Sequence, residues 1–394
     1  MATRLPRRAL LLCGASLALP SLTAAQTPTP TPAPATGVQA RPLVFPGDFG
    51  AHLDTRIEWW YITGALEPSA AGAGAEAGAG TGAGTGGTGA RDAVAFGFQV
   101  TFFRARTPVA ADHPSRFAAR HLHFAHVALT DLRAGRMRHD QRIARGGFAH
   151  AAAAQGDTRL RLGQWTLERD GALSQPRYRT RIASDSAAFS FDFSLRATQP
   201  LLLQGDAGFS RKGPQPEQAS HYYSLPQLAV SGQLVKDGKS IAVRGRAWLD
   251  HEWSNALMHS EAVGWDWIGM NLDDGSALTA FRLRRADGSA LYAGGSFRRA
   301  GGVAAAFAPD QVQFAPGRLW RSAASGGLYP VAWSVATPAG RFKVISLLDD
   351  QELDSRNSSG AMYWEGLSEL RDAAGVRVGR GYLEMTGYAA ALRL

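Results

Sequence analysis

Carboxylates, an imidazole and tryptophan rings are concentrated in two short segments near the middle of the chain, 248–254 (WLDHEWS) and 265–267 (WDW). Carboxylates and imidazoles are the usual proton donors and acceptors in catalysis. Tryptophan is the bulkiest apolar side chain and often lines ligand pockets. Together these residue types are typical of an apolar cavity that holds a few polar groups, which is the usual form of a small-molecule site.

These two segments supply most of the candidate site residues. The candidate catalytic residues are Asp266, His251, Asp250 and Glu252. The candidate ligand-binding residues include further aromatic side chains from segment 58–61 (EWWY) and one histidine: Trp253, Trp265, Trp267, Trp59, Trp60, Tyr61 and His126.

Strand geometry limits how many of these side chains can face one cavity. Successive side chains of a strand point to opposite faces, so Asp250 would face away from His251 and Trp253. By the same rule Asp266 opposes the two tryptophans beside it. We expect His251, Trp253 and Asp266 to form the inward set. A β-bulge would allow other combinations, so the register of both segments stays open.

The same residues also have a purely structural interpretation. Tryptophan-rich strands in barrels usually belong to the core, and a carboxylate beside tryptophan often accepts an indole N–H or pairs with arginine. This alternative applies to Glu58, Glu252 and Glu365 as well as to Asp266 and His251.

Other kinds of site find less support. His121 and His123 would share a strand face, but His126 would lie on the opposite one, so we expect no metal site and no cofactor. No Gly-x-Ser-x-Gly motif supports an α/β-hydrolase mechanism. The glycine-rich stretch 71–90 lacks the lysine of a phosphate loop. We expect Arg211-Lys212 to lie in a surface turn rather than bind an anionic head group.

The distribution of charge along the chain limits the kinds of binding partner that we expect. The chain of 394 residues has a formal net charge of +9, but its basic residues are scattered and form no stripe. We therefore expect no nucleic-acid binding. The expected partner is an apolar or amphipathic small molecule, with transient membrane contact, and we expect a monomer or a weak oligomer.

The N-terminal segment is typical of an exported protein. Residues 1–25 combine three early arginines, an apolar run from Ala9 to Leu19 and small residues at 23–25, as in a cleaved signal peptide. A Pro/Thr-rich linker follows at 26–40. We expect a periplasmic or secreted protein. The single cysteine, Cys13, lies within the signal, so the mature chain is expected to have no disulfide.

Alternation of apolar and polar residues with period two predicts many antiparallel strands. The pattern is clearest at 94–103 and 189–196, and Asp-Gly pairs such as Asp237-Gly238 predict the turns between strands. Further strands are predicted at 58–66, 121–131, 158–169, 177–183, 228–236, 241–250, 263–272, 277–285, 291–299, 331–337, 341–348 and 379–388. No long stretch has a helical period. The fold class is therefore all-β, and closed barrels would remove the exposed strand edges.

We expect two tandem antiparallel β-barrels, over residues 41–226 and 227–394. The Gly/Ala/Thr-rich segment 69–90 would be an enlarged hairpin loop within the first barrel. The halves resemble distant copies of each other, because each has a Glu-Trp pair followed by an apolar-Arg pair. These pairs are Glu58-Trp59 with Phe103-Arg104, and Glu252-Trp253 with Phe281-Arg282.

Several blocks together resemble the AttH / carotenoid 1,2-hydratase family of secreted, lipocalin-like proteins. The blocks are 58–64 (EWWYITG), 125–131 (AHVALTD), 205–213 (GDAGFSRKG), 222–225 (YYSL), 248–254 (WLDHEWS), 264–267 (GWDW), 363–366 (YWEG) and 381–388 (GYLEMTGY). The resemblance covers about residues 45–390. It implies two lipocalin-like barrels in tandem and an apolar ligand such as a lipid or an isoprenoid.

The resemblance also implies a chemistry. Hydration of an isolated double bond begins with protonation, which requires a carboxylic acid kept neutral by apolar surroundings. Aromatic faces can stabilise the resulting cation. The expected function is binding of an apolar small molecule with addition of water to it, as a hydro-lyase or a hydrolase. The alternative is a non-catalytic lipid carrier or transport-accessory protein of the cell envelope. In the hydratase branch, the strand after the tryptophan cluster carries an acidic residue. The corresponding strand here, 278–283 (LTAFRL), has no acidic residue. A catalytic acid would therefore come from another strand.

Overall fold

The computed structural model describes residues 37–69, 94–110, 112–256 and 258–392. The predicted signal peptide, most of the predicted linker and all but residue 69 of the predicted loop 69–90 lie outside these residues. Almost all regular structure in the described ranges is antiparallel β-strand, which confirms the all-β prediction. No helix in these ranges is long and apolar enough to cross a membrane.

The first sheet has thirteen strands in the described part of the chain. They are β1 (Ile57–Pro68), β2 (Phe96–Arg106), β3 (His121–Asp131), β4 (Arg136–Arg145), β5 (Ala151–Ala153), β6 (Arg159–Leu162), β7 (Trp165–Asp170), β8 (Arg177–Ser184), β9 (Phe189–Arg196), β10 (Leu202–Leu203), β11 (Phe209–Arg211), β12 (Ala219–Lys236) and β13 (Lys239–Ser254).

The second sheet takes its strands from the remainder of the chain, in which β19 and β20 form a separate two-stranded ribbon. The strands are β14 (Gly264–Leu272), β15 (Ala277–Arg284), β16 (Ala290–Arg298), β17 (Ala304–Phe307), β18 (Gln313–Pro316), β19 (Leu319–Arg321), β20 (Leu328–Pro330), β21 (Ala332–Thr337), β22 (Gly340–Ser346), β23 (Glu352–Ser355), β24 (Ala361–Arg371) and β25 (Arg377–Met385). Two short 3₁₀ turns, Gly47–Phe49 and Pro309–Gln311, complete the regular structure.

The first sheet curls into a nearly closed barrel. Its strands follow the order β4-β3-β2-β1-β13-β12-β9-β8-β7-β6-β5. The edge strand β4 reaches across to β8, because Arg142 donates a hydrogen bond to the carbonyl of Ala183 over 3.1 Å, and the Ser184 hydroxyl donates to Asp140 over 2.8 Å. The closure hides most of the sheet edge, as a barrel requires.

Strand β9 shows why period two was a reliable signal. The phenylalanines and leucine of Phe189–Arg196 are buried, and the alternate serines, aspartate and arginine are half-buried or exposed. The turn between β12 and β13 also depends on residues that are adjacent in the sequence. Lys236 pairs with Lys239, so the two-residue turn needs positive φ at both Asp237 and Gly238, and these residues have φ values of 51° and 74°.

The first sheet extends further along the chain than the predicted boundary between residues 226 and 227. β12 runs through that boundary as one strand from Ala219 to Lys236, and β13 follows it in the same sheet. Hydrogen bonding along the whole of β12 requires this continuity, apart from a register shift between Leu225 and Leu228. Division of the chain into two independent domains stays a prediction.

The two sheets repeat one arrangement at their centres. The order β2-β1-β13-β12 of the first sheet corresponds to β15-β14-β25-β24 of the second. Both contain a buried ion pair between the first two strands of the set, with N–O distances of 2.9 Å for Arg104 with Glu58 and 2.7 Å for Arg282 with Asp266. Asp266 thus occupies the position in the second sheet that corresponds to Glu58 in the first. The match of Glu58 with Glu252 that the sequence suggested was wrong. Glu252 lies on β13, directly beside β1.

The two sheets pack through their outer faces. Tyr61 of β1 contacts Trp267 of β14, with ring centroids 5.4 Å apart. The Gln99 amide of β2 donates to Glu365 of β24 over 2.6 Å. Residues from both sheets therefore form a third core cluster, separate from the cores inside each sheet. Much of the outer faces of β1, β13, β14 and β25 is consequently shielded from solvent.

Candidate active site

A cavity of about 190 Å³ lies between these outer faces. That volume exceeds the 150 Å³ of an engineered apolar cavity that binds benzene. Its walls are mainly aromatic and are formed by Trp59, Phe103, Phe124, Trp265, Trp267 and Phe281. The ring of Trp267 lies along its own strand over Gly269, where a side chain would collide with the indole. The absence of a side chain at Gly269 thus allows the indole to lie flat along this wall.

Four carboxyl groups line the same cavity: Asp250, Glu252, Glu365 and Glu384. Each comes from a strand at the centre of a sheet, where main-chain pairing holds the side chain in a fixed direction. A carboxyl group in apolar surroundings is easier to keep protonated than ionised. The cavity therefore combines an apolar guest space with groups suited to proton transfer.

Glu365 and Glu384 lie directly opposite each other on β24 and β25. Burial raises the pKa of Glu384 to about 7. Burial, reinforced by the charge of Glu384, raises the pKa of Glu365 well above its ordinary range. Two buried carboxyl groups in such a pair oppose each other's ionisation. Both therefore favour the protonated form up to a higher pH than ordinary glutamates do.

Two polar side chains orient Glu365 at the cavity. Gln99 donates to Oε2 of Glu365 over 2.6 Å. The hydroxyl of Tyr61, a residue that is only 6% exposed, also bonds the Glu365 carboxyl. Buried polar atoms in native proteins are nearly always paired. Gln99 and Tyr61 therefore hold this carboxyl in place among apolar neighbours.

Asp250 is the third acid with a shifted pKa. It accepts hydrogen bonds from the Trp248 indole over 2.7 Å, from the Tyr222 hydroxyl over 2.8 Å and from the Ser224 hydroxyl over 2.5 Å. Burial raises its pKa to about 7 despite these donors, which favour the ionised form. Its oxygens are thus largely occupied by hydrogen bonds.

Glu252 is held as an ion pair. Its Oε1 lies 3.1 Å from Nζ of Lys212 and accepts the hydroxyl of Ser220. The ammonium group of Lys212 also lies over the rings of Tyr222 and Phe281, at 4.4 and 4.6 Å from their centres. The structure thus places Lys212 at the cavity, which corrects the expectation of a surface turn. The ion pair with Glu252 and the two aromatic faces both stabilise the ammonium group of Lys212 in this position.

His126 is neutral in this site. Burial lowers its pKa to about 3. Its two ring nitrogens lie 2.8 Å from the Tyr363 hydroxyl and 2.9 Å from the Ser358 hydroxyl, so one accepts and the other donates. Gln99 donates to the same Tyr363 hydroxyl over 3.1 Å. His126 therefore orients the polar end of the cavity beside Glu365.

Several of the sequence candidates do meet at this cavity. Those that line it are Asp250, Glu252, Trp59, Tyr61, Trp265, Trp267 and His126. The alternation along β13 and β14 is regular at these positions, with no bulge in either pairing. A role in ligand binding or catalysis stays a prediction for each of them.

The inward set expected from the sequence was wrong for the first sheet. His251, Trp253 and Trp60 point into the barrel of the first sheet and do not line the cavity. His251 lies 3.0 Å from both Glu58 and the Tyr223 hydroxyl, and it stacks on Trp60 at 4.5 Å. The physical reason is that both faces of β13 are buried, so burial alone did not identify the face at the cavity.

Asp266 also lies outside the cavity, in the core of the second sheet. It accepts hydrogen bonds from Arg282 over 2.7 Å and from the Tyr388 hydroxyl over 2.9 Å. Arg284 lies 3.8 Å away. Alternation along β14 directs this carboxylate away from Trp265 and Trp267, toward two arginines. Its surroundings match the structural interpretation given above.

The described residues contain one cluster with the spacing of a metal site, formed by His52, Glu58 and His251. These side chains already bond one another, with His52 lying 2.7 Å from Glu58. The second Glu58 oxygen accepts the Arg104 guanidinium over 2.9 Å. These hydrogen bonds and ion pairs hold the start of β1 in place. His121 and His123 do not belong to this cluster.

Sequence reasoning missed the acid pair. Segment 361–371 was not among the predicted strands, and Glu384 lies in a strand predicted without any site residue. A usable signal was present, since a carboxylate within an otherwise apolar strand is costly to bury without a partner. Glu365 follows Trp364 in β24, and Glu384 follows Leu383 in β25, each beside apolar residues. Their pairing across two strands required the tertiary structure.

Comparisons with known proteins agree with this architecture. The AttH-like family model matches residues 84–388. A crystal structure of a protein assigned to AttH from Nitrosomonas europaea is 46% identical, covers 90% of this chain and 99% of its own, and has a TM-score of 0.76. Kievitone hydratase from Nectria haematococca is 17% identical, covers 91% and 96% respectively, and has a TM-score of 0.62, which shows a shared fold. A search of curated proteins found no match.

Proposed function

This chain belongs to the AttH-like family, and we propose that it binds an apolar alkene between its two sheets and adds water to the carbon–carbon double bond. The observation that carries the proposal is the pair formed by Glu365 and Glu384 in an aromatic cavity. Burial raises the pKa of both carboxyls, that of Glu384 to about 7, so the pair is suited to donate and accept protons near neutral pH. Hydration needs one proton donor and one proton acceptor, and the pair supplies both.

In the first step, Glu365 donates its proton to one alkene carbon. The π electrons form the new C–H bond, and the second carbon becomes a carbocation. The negative charge left on Glu365 and the aromatic faces of Trp267 and Tyr61 stabilise this cation. A low-dielectric cavity strengthens these interactions, since bulk water does not screen them.

In the second step, water attacks the carbocation and loses a proton to Glu384. An alcohol is formed, and the proton then passes from Glu384 to Glu365, which restores the starting state of the pair. The Tyr61 hydroxyl, which bonds Glu365, orients the attacking water beside the acid. Overall, one alkene and one water give one alcohol.

The fold of a structural neighbour supports this assignment. Kievitone hydratase is a hydratase by name and shares the arrangement of strands over 91% of this chain. The absence of an acid in strand 278–283 agrees with the proposal too, since the acid comes from β24 and β25 instead.

The test is incubation of the protein with a panel of isoprenoid alkenes in ¹⁸O-labelled water, followed by mass spectrometry. We expect one labelled oxygen in the alcohol product. Glu365→Gln and Glu384→Gln should each abolish turnover while the protein stays folded. A matched control is Glu168→Gln, at an exposed position on β7, which should retain activity.

Binding is measured separately by intrinsic tryptophan fluorescence. Quenching by the alkene should be lost when Trp265 and Trp267 are replaced by phenylalanine, and Trp320→Phe, outside the cavity, is the control. Quenching without any labelled product would refute hydration and favour the lipid carrier. Failure of every alkene to quench would refute an apolar guest altogether.

We further propose that the mature protein is periplasmic or secreted. The support is the pattern of residues 1–25. N-terminal sequencing of protein from fractionated cells tests this, and an N-terminus that retains the apolar run in the cytoplasmic fraction would contradict it.

A further inference from the structure

Two phenylalanines and an arginine form an exposed patch at one end of the first sheet. Phe117 is 70% exposed and Phe148 is 57% exposed, yet the two rings stack with centroids 5.6 Å apart. The guanidinium of Arg145 lies 4.4 Å from the centre of Phe148 and donates to the carbonyl of Phe117 over 2.7 Å. We call Phe117, Arg145 and Phe148 the aromatic–arginine patch.

The backbone holds this patch outward in a strained form. Phe148 and Ala149 have φ values of 55° and 56°. Such values are uncommon for residues other than glycine and are unusual for a bulky side chain. Strain of this kind persists only where the surrounding structure maintains it, and it is concentrated at functional positions. The turn therefore maintains Phe148 in an exposed position at an energetic cost.

The surroundings of the patch are strongly basic. Arg106, Arg116 and Arg120 are exposed on the same loop and strand ends, and the nearest exposed acid in that loop is Asp112. Exposed aromatic rings among arginines match the interface of an anionic lipid bilayer, where rings enter the head-group region and arginines pair with phosphates. We propose that the aromatic–arginine patch docks the protein on an anionic membrane surface.

The patch lies near the cavity, so docking would bring the cavity close to the membrane. Phe103 and Phe124, which line the cavity, stack at 4.6 Å on β2 and β3. His121 begins β3 three residues before Phe124, so the base of the basic loop lies roughly 10 Å from the cavity wall at about 3.3 Å per residue. A docked molecule would thus hold its cavity close to a bilayer that contains apolar guests.

The test is flotation of the full chain with lipid vesicles, without any substrate. We expect binding to vesicles of phosphatidylcholine mixed with phosphatidylglycerol, and weaker binding at high salt or to phosphatidylcholine alone. Phe117→Ser combined with Phe148→Asn should lower binding by at least about tenfold, since each ring loses its burial in lipid. Asparagine tolerates the left-handed backbone, so folding should be preserved. Arg116→Gln should lower binding about fivefold.

The matched control is Leu173→Ser with Val303→Ser, which removes two exposed apolar side chains elsewhere. This variant should bind vesicles as the wild type does. Absence of wild-type binding to anionic vesicles, or equal binding by the double phenylalanine variant, would overturn the proposal. So would a lipid-free dimer of the wild type that the same two substitutions dissociate, because the patch would then cover a second copy of the chain.

Discussion

Replacing Glu384 by glutamine should stabilise the protein at about pH 8 and leave its stability near pH 4 almost unchanged. Burial raises the pKa of this carboxyl from its ordinary value of 4.5 to about 7. The folded state therefore retains a proton that the unfolded state releases above pH 4.5. The stability linked to this proton is complete below pH 4.5 and is lost as the pH rises through 7.

The magnitude follows from the two pKa values. One pH unit of difference corresponds to about 1.4 kcal/mol of unfolding free energy. The wild type should therefore lose roughly 3 kcal/mol through this carboxyl on passing from acid to neutral pH. Glutamine has nearly the same shape and no charge, so Glu384→Gln removes the loss. It also removes the charge that helps to raise the pKa of Glu365. The loss of stability linked to the Glu365 proton therefore becomes smaller as well.

Urea unfolding of both proteins over the range from about pH 4 to pH 8 measures this difference, with free energies extrapolated to water. The exposed substitution Glu168→Gln is the control and should leave the pH profile unchanged. A stability difference between wild type and Glu384→Gln that is the same at all pH values would refute a carboxyl kept protonated by its surroundings. Gain of stability together with loss of turnover is the expected signature of a functional site.

Three further predictions concern neighbouring groups. Asp266→Asn should destabilise the fold by about 3–5 kcal/mol in urea unfolding, since Arg282 is left buried without its carboxylate; unchanged stability would contradict a structural role. Tyr61→Phe should destabilise the protein by about 1 kcal/mol, because it removes a buried hydroxyl that bonds Glu365, and should lower turnover; unchanged stability would contradict this bond. The imidazole resonances of His126, whose pKa is about 3, should keep their neutral positions down to about pH 4, and stability should decline only as the pH falls below the ordinary histidine value of 6.5. Exposed His150 is the NMR control, and titration of His126 near neutral pH would contradict its burial.

Local patterns accounted for much of the fold. Strand β3 has the bounds predicted from the sequence, and β9 shows the predicted alternation of buried and exposed side chains. These features depend on neighbours within one strand, so the sequence contains them directly. Strand β4, with its polar sequence RMRHDQRIAR, was missed because its half-buried side chains give no clear period. Pairing with β3 stabilises it instead.

The candidate site was predicted only in part, for a related reason. The rule that Asp250 and His251 face opposite ways was correct, and so was the opposition of Asp266 to its flanking tryptophans. The choice between the two faces was not available from the sequence, since each face of β13 packs against apolar neighbours. One face meets the interior of the first barrel, and the other meets the second sheet.

By itself, then, the sequence determined the strand class, the turns and the division of each strand into two faces, because these depend on residues a few positions apart. The tertiary structure alone decided which face borders a cavity and which carboxyls become neighbours. Glu365 and Glu384 are nineteen positions apart, and their proximity depends on the pairing of β24 with β25. Their raised pKa values depend on burial and on nearby carboxyls, which for Glu384 include Asp250 and Glu252 of the first sheet. Proton chemistry in this protein is thus a property of how two sheets pack, since burial and charge proximity are long-range effects.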